Sequence, residues 1–193
     1  MASRLDDQAL AQLLSTARTH RSWSAAEVPD TLLEELTTLM QWGPTANNLL
    51  PARLVYVKSP AAKERLKPHL SPGNVDKAMS APVTAVIGHD LSFFEHVPPG
   101  QPPATGFVDK PEAAATSALR NGSLQGAYLM LAARALGLDV GPMSGFDNAG
   151  VDAEFFAGTT TRSNFLCNLG YGDGTGLRPR ARRFAFADIA QIL

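Results

Sequence analysis

Between Ala127 and Leu136 the chain reads AYLMLAARAL, and Arg134 is its one formal charge. The apolar spacing is helical, reaches back to about residue 113 and meets a natural terminator at Gly137. A helix that is apolar nearly all round has no side to offer water and must be covered. This one is too short, and too interrupted by Arg134, to span a bilayer, which needs ~20 apolar residues. It has to lie inside a core, and 193 residues can bury about 70% of the unfolded surface in one domain. A single domain over residues 1–193 is expected, with a second copy of the chain covering whatever side of the helix the first leaves bare.

The remaining elements follow from local pattern. Leu5, Ala9, Leu10, Leu13, Leu14 and Ala17 predict a first helix over 5–17, with Asp6 and Asp7 in its first turn. A second helix is expected over 31–42, started by a Thr31-to-Glu34 capping box and ended by Pro44. Residues 53–58 read as a short strand. Pro60 opens a helix over 61–70, and Asn74 to Ser80 make a shorter one. The continuous apolar run at 83–88, VTAVIG, predicts a strand buried on both faces. Residues 98–111 hold seven Pro or Gly in fourteen positions, and a loop or mobile lid is expected there. After Gly137 come a Gly-Pro-rich turn (141–150), a helix at 151–156, a buried strand at 165–171, a basic run and an amphipathic end. The irregular alternation of helices and short strands indicates α+β with a central sheet.

Composition removes several function classes. The net charge of −1 and pI near 6.4 argue against a nucleic-acid binder and leave room for a local cationic pocket that takes one small anion. Cys167, the one cysteine, allows no intrachain disulfide and no cysteine-cluster metal site, and within an apolar strand it is expected to be buried and inert. The histidines His20, His69, His89 and His96 are scattered, so no metal is expected. The N-terminal MASRLDDQALAQLL interrupts with acids what a signal peptide keeps apolar, and a soluble, cytoplasmic protein is expected. There is no G-x-S-x-G, P-loop or H-E-x-x-H. An enzyme without such groups must take its chemistry from a cofactor.

Five segments share a theme. Arg18-Thr19-His20-Arg21-Ser22-Trp23 can grip a phosphate through two guanidiniums and two hydroxyls, or cap a helix end. Pro44-Thr45-Ala46-Asn47-Asn48 offers donors and acceptors to a heteroaromatic edge, or makes an Asx turn. Asn74 and Lys77 share a helix face, or are plain surface residues. Gly141-Pro142-Met143-Ser144-Gly145 can bring backbone N–H groups against a planar ligand, or simply turn. Arg178 to Arg183 can complete an anion pocket, or be a solvated run.

In this order the pieces resemble one family. R-T-H-R-S-W is similar to the R-S-x-R-x-F element of the nitroreductase family of flavoproteins, and G-P-T-A-N-N-x-x-P to its A-P-S-x-x-N-x-Q-P loop. N-x-x-K before a buried strand, P-M-S-G-F-D after the long helix, N-L-G-Y-G and a closing basic stretch match in register. The wording is closest to the malonic semialdehyde reductase branch. The resemblance implies a central, mostly antiparallel sheet flanked by helices, in an interwoven homodimer with FMN at the subunit interface. It implies that Arg18, Thr19, Arg21 and Arg183 hold the FMN phosphate and ribityl chain, with Arg182 in place of Arg183 if the register shifts. Asn74 and Lys77 meet the pyrimidine edge or ribityl, and Pro142, Ser144 and Gly145 line the ring. Pro44, Thr45, Asn47 and Asn48 reach the flavin of the other subunit. Ser144 stands where many relatives carry Glu, and Leu50 and Ala52 stand where Gln and an aromatic residue often do.

The implied activity is ping-pong hydride transfer from NADH or NADPH through flavin N5 to a small acceptor: a malonic semialdehyde-type aldehyde, a quinone or a nitro compound. Phe93, Phe94 and Phe107 are candidate substrate contacts around the Pro/Gly-rich loop. The alternatives are a flavin-binding protein without turnover and a cofactor-free interaction domain.

Overall fold

In the computed structural model, which describes residues 3–193, every residue of the strand Val83–Asp90 is buried. Such burial requires helices on both faces of its sheet. The strands are β1 (Ala52–Val57), β2 (Val83–Asp90), β3 (Asp139–Met143) and β4 (Thr161–Gly170). They form one sheet in the order β1-β2-β4-β3, antiparallel at every pairing. The helices are α1 (Asp7–Leu10), α2 (Asp30–Gln41), α3 (Pro60–Leu66), α4 (Pro72–Ser80), α5 (Pro111–Ala135), α6 (Asn148–Phe155) and α7 (Phe186–Ile189).

The period-2 alternation of β2 divides the core. Val83, Ala85 and Ile87 pack with Leu33, Leu36 and Met40 of α2 and with Leu129, Ala132 and Ala133 of α5. Val86 faces the other way, into Leu66 of α3, Ala78 of α4 and Val151 of α6. The expected α+β architecture with a central antiparallel sheet is therefore what the chain adopts. Cys167 is wholly buried in β4, and burial pushes its thiol up to about 12, so it is inert.

The expected C-cap holds. Gly137 lies at φ 81°, its N–H donates to Arg134 O and the Leu138 N–H to Ala133 O, a Schellman closure of α5. Other expectations need correction. The first helix is only α1, followed by a π-helical turn over Ala11–Ser15. No Thr31 capping box forms, because α2 starts one residue earlier, at Asp30. Pro68, which has no N–H to continue a helix, leaves a 3-10 turn (Lys67–His69) between α3 and α4. The expected turn at 141–150 begins inside β3. An edge strand tolerates Pro142 because its outer side needs few ladder bonds. Finally, the run from Ala127 to Leu136 is only partly covered within one chain: Ala127 and Ala135 are exposed and Tyr128, Met130 and Leu131 half-buried, and Leu119 and Leu124 of α5, Leu39 of α2 and Trp42 just after it are exposed as well.

His89 is buried in β2 with its Nδ1 unpartnered, and desolvation holds its pKa below the ordinary histidine value. The unfolded chain therefore binds the extra proton first as pH falls. Stability should decline below about pH 6.5, by at most ~1.4 kcal/mol per pH unit from this residue. Urea midpoints at pH 7.5 and 5.5 should fall less in His89→Gln than in the parent protein; an equal fall in both assigns the acid sensitivity elsewhere.

Candidate functional site

The segment after the first helical turns lies along the outer edge of β3. The His20 N–H donates to Val140 O at 3.0 Å, and Thr19 bridges Val140 in parallel. His20 Nε2 is 3.2 Å from Asp139 Oδ1, while Asp139 Oδ2 accepts the Gly172 N–H at 2.9 Å. Ser22 Oγ donates to Asp173 at 2.7 Å, and Trp23 bridges Gly172. Bonds from Ser22 and Thr175 hold the Asp173 carboxyl below its ordinary value. These contacts fold the chain beyond β4 back onto the N-terminal segment.

The consequence is a cavity of about 290 Å³ lined by Arg18, Thr19, Arg21, Arg134, Arg178, Arg180 and Arg183, with no carboxylate in its lining. The guanidiniums are tied partly to carbonyls: Arg18 to Arg178 O, Arg180 to Ala17 O at 2.8 Å and Arg134 to Leu13 O at 2.9 Å. A pocket of this charge is built for an anion. A larger cavity of about 1040 Å³ between α2 and β1 has the opposite character, with Glu27, Asp30 and Glu34 in its lining and Lys58 paired to Asp30.

Beside the arginines, α4 presents Asn74 and Lys77. Lys77 Nζ donates to Asn74 Oδ1 at 2.9 Å, and Asn74 Nδ2 donates to Gly145 O at 2.9 Å. Desolvation, and then the guanidiniums of Arg21 and Arg178, hold Lys77 below the ordinary lysine value. A Cβ at Gly145 would sit 2.8 Å from Asn74 Nδ2 and 3.2 Å from Ser71 Oγ, so any other residue here would push the Asn74 amide away from its present position. Among the described residues, the Ser144 and Gly145 N–H groups have no acceptor.

The loop after α2 lies elsewhere. Its Ala46 N–H is held by Asn121 Oδ1 at 2.8 Å, and Pro44 O accepts from Tyr128 Oη at 2.9 Å. Thr45 Oγ1 accepts the Leu50 N–H at 3.2 Å. Asn47, Asn48 and Leu50 all have positive φ (48°, 54° and 42°). Asn tolerates this and Leu does not, so the loop stores strain of order 1 kcal/mol that its anchors must hold. Asn121 and Arg134 are thirteen residues apart on α5, about 20 Å along its axis, so this loop and the arginine cavity do not converge within one chain.

A model of the Nitroreductase family matches residues 14–171. The chain belongs to the nitroreductase family. A Burkholderia lata protein named as a candidate NADH dehydrogenase/NAD(P)H nitroreductase is 58% identical over 97% of this chain and 98% of its own. A Stenotrophomonas maltophilia protein of the same name is 57% identical over the full length of both. Among solved structures, a candidate nitroreductase from Exiguobacterium sibiricum, in complex with FMN, superposes with a TM-score of 0.83 at 18% identity, covering 100% of this chain and 99% of its own.

In this nitroreductase chain, Arg18, Thr19, Arg21 and Arg183 share one cavity that Arg182 does not line, and Asn74, Lys77 and Gly145 form one bonded chain beside it. Pro142 lies in β3 and Ser144 just beyond it. Phe93 is a correction: it is wholly buried, packed edge-on against Phe94 and Phe107 at 5.6 and 5.1 Å, and anchors a core rather than meeting substrate. Residues 98–111 are mostly irregular, with a 3-10 turn at Thr105–Phe107, and Pro111 already belongs to α5.

Sequence reasoning missed Asn121, Gln125, Arg134 and Lys63. Asn121 and Gln125, spaced i, i+4 on the buried face of α5, and Arg134, a lone charge in an apolar run, were the available signals. Lys63 had none. Its buried ammonium donates to Ala78 O at 2.8 Å and to Ala81 O, closing the C-terminus of the helix that carries Asn74 and Lys77. Lys63→Met strands these carbonyls and should cost about 1–3 kcal/mol in chemical denaturation; an unchanged midpoint would show that water replaces the ammonium freely.

Proposed function

We propose that this nitroreductase-family chain is an FMN-dependent NAD(P)H oxidoreductase acting on a small acceptor. The observation that carries the reading is the acid-free arginine cavity beside the Asn74–Lys77–Gly145 chain. A phosphate monoester of about two negative charges needs several cationic donors, and Arg18, Arg21 and Arg183 supply them. The close approach at Gly145 and the free N–H groups of Ser144 and Gly145 suit the edge of a flat heteroaromatic ring, so the residues present fit FMN. When bound, FMN supplies a two-electron carrier that takes hydride from NADH or NADPH and passes it to the acceptor.

The protein's own residues then have distinct tasks. The arginines and Thr19 hold the phosphate and ribityl chain. Asn74 and Lys77 meet the pyrimidine edge, where the Lys77 charge favours the electron-rich reduced state. Pro142 would line the ring, and the Ser144 and Gly145 N–H groups would be the donors offered to its edge. Pro44, Thr45, Asn47 and Asn48, distant from their own chain's cavity, complete the site of a second copy. The exposed Leu39, Trp42, Leu119 and Leu124 are the apolar surface on which that copy packs. Leu50 and Ala52, in place of larger polar and aromatic residues, leave a smaller and more apolar wall, and it is the likeness of the motif wording to the malonic semialdehyde reductase branch that puts a malonic semialdehyde-type aldehyde ahead of a quinone or nitro compound as acceptor. No described helix is long and apolar enough to cross a membrane, and a cytoplasmic location accords with substrates of this kind.

The reading makes two measurable claims. Arg183→Ala should weaken FMN binding ~10- to 150-fold, the loss of a charged hydrogen bond of about 1.5–3 kcal/mol, with circular dichroism unchanged, whereas Arg182→Ala should leave it near the parent value. Full retention of flavin in Arg183→Ala removes Arg183 from the site. Light scattering of the flavin-loaded protein should give about twice the 20.5 kDa chain mass, and a monomer with FMN bound excludes a shared site. Oxidation of NADH or NADPH with malonic semialdehyde, menadione and nitrofurazone identifies the acceptor; flavin without turnover on any of them indicates a flavin-binding protein.

A further inference from the structure

We propose that Gln101 is a latch that selects the acceptor by size, an inference that rests on the oxidoreductase reading of the site. Residues 98–106 carry few bonds of their own, and among the described residues Gln101 is the one whose side chain hydrogen-bonds outside the segment, while Ala104 packs against the buried cluster of Leu49 and Phe93. It reaches the strained loop after α2. Gln101 Nε2 donates to Asn47 O at 3.0 Å and Asn48 O at 3.3 Å, and its Oε1 accepts from Asn48 Nδ2 at 2.8 Å. The pairing uses both ends of the carboxamide, so an apolar or shorter side chain cannot reproduce it.

The segment is firmly rooted on both sides of this point. Before it, Asp90 is buried and gathers Arg53 at 2.8 Å, Thr160 Oγ1 at 2.6 Å, the Ser92 N–H at 2.9 Å and His96 at 3.1 Å. Burial pushes the Asp90 carboxyl up, but these donors outweigh it and hold it below its ordinary value. After it, Phe107 packs on Phe93, in the same buried cluster as Leu49 of the strained loop. Between two rigid roots, the exposed middle can lie down or lift, and the Gln101 bonds favour the lowered position. Lowered, it covers Asn47 and Asn48, which the proposed function sets at the flavin site of a second copy, where the acceptor must also enter. A small carbonyl compound fits beneath such a roof; a bicyclic quinone needs it raised.

The test compares the flavin-loaded protein with Gln101→Met and Gln101→Ala, using malonic semialdehyde and menadione as acceptors. In both variants kcat/KM for menadione relative to malonic semialdehyde should rise about tenfold, the factor equivalent to 1.4 kcal/mol. FMN affinity should not change. Independently of turnover, amide hydrogen exchange over residues 98–106 should quicken several-fold in both. Unchanged exchange overturns the latch, as does an unchanged acceptor ratio. A shift confined to Gln101→Ala also overturns it, because methionine keeps the volume and loses only the bonds. Absence of flavin or of NAD(P)H oxidation in the parent protein defeats the proposed function instead, and the exchange measurement still decides the latch.

Discussion

Burial of α5 against the sheet is the interaction on which the rest of the molecule depends. Its apolar face supplies Leu129, Ala132 and Ala133 to the core, yet the same helix buries Asn121 and Gln125. Buried amides are costly unless bonded. Asn121 takes the Ala46 N–H, Gln125 takes the Ala52 N–H at 2.8 Å, and Arg134 at the far end takes Leu13 O. Each bond fixes a segment outside the helix: the strained loop, the start of β1 and the turns leading to Arg18. Docking the helix and shaping the site are therefore one cooperative event, and a loop with three positive-φ residues persists because the core holds it.

Electrostatics explain why the basic run is where it is. Guanidiniums crowded around about 290 Å³ repel one another, and no acid in the lining relieves them. They are tolerated because several already donate to carbonyls and because the cavity opens to solvent, which screens them. The arrangement is costly for a structural cluster and economical for an anion site. The chain beyond it leaves Phe184, Phe186, Ile189, Ile192 and Leu193 exposed.

Much of this was legible in the sequence. The R-T-H-R-S-W segment and the glycine turn were legible from their chemistry, and Asn74, Lys77 and Arg183 from the family resemblance; the structure brings Arg18, Thr19, Arg21 and Arg183 together and joins Asn74, Lys77 and Gly145. Six of the eight buried residues of β2, Val83 to Gly88, followed from the apolar run, whereas the burial of His89 and Asp90 did not. The failures have specific causes. β3 escaped because Gly141 and Pro142 are turn residues locally, and only pairing with β4 makes them a strand. Phe93 suggested a substrate contact because a phenylalanine near a flexible loop looks the same in sequence whether it faces a ligand or a core. Lys63 gave no sign, because its partners are carbonyls of another helix.

What the sequence determined by itself was whatever depends on neighbours a few positions away: helical and strand periodicity, the Gly137 cap and the residue types able to hold an anion. Motif order added the family. The tertiary structure decided which of those residues meet. Arg18 and Arg178 lie 160 positions apart and are joined only because Asp139, His20 and Ser22 fasten the chain beyond β4 to the edge of the sheet. The bare side of α5 and the separation of the strained loop from the arginine cavity were decided the same way. A hydrogen bond between distant segments leaves no periodic trace in the chain, and its energy is realised only when the whole sheet has closed.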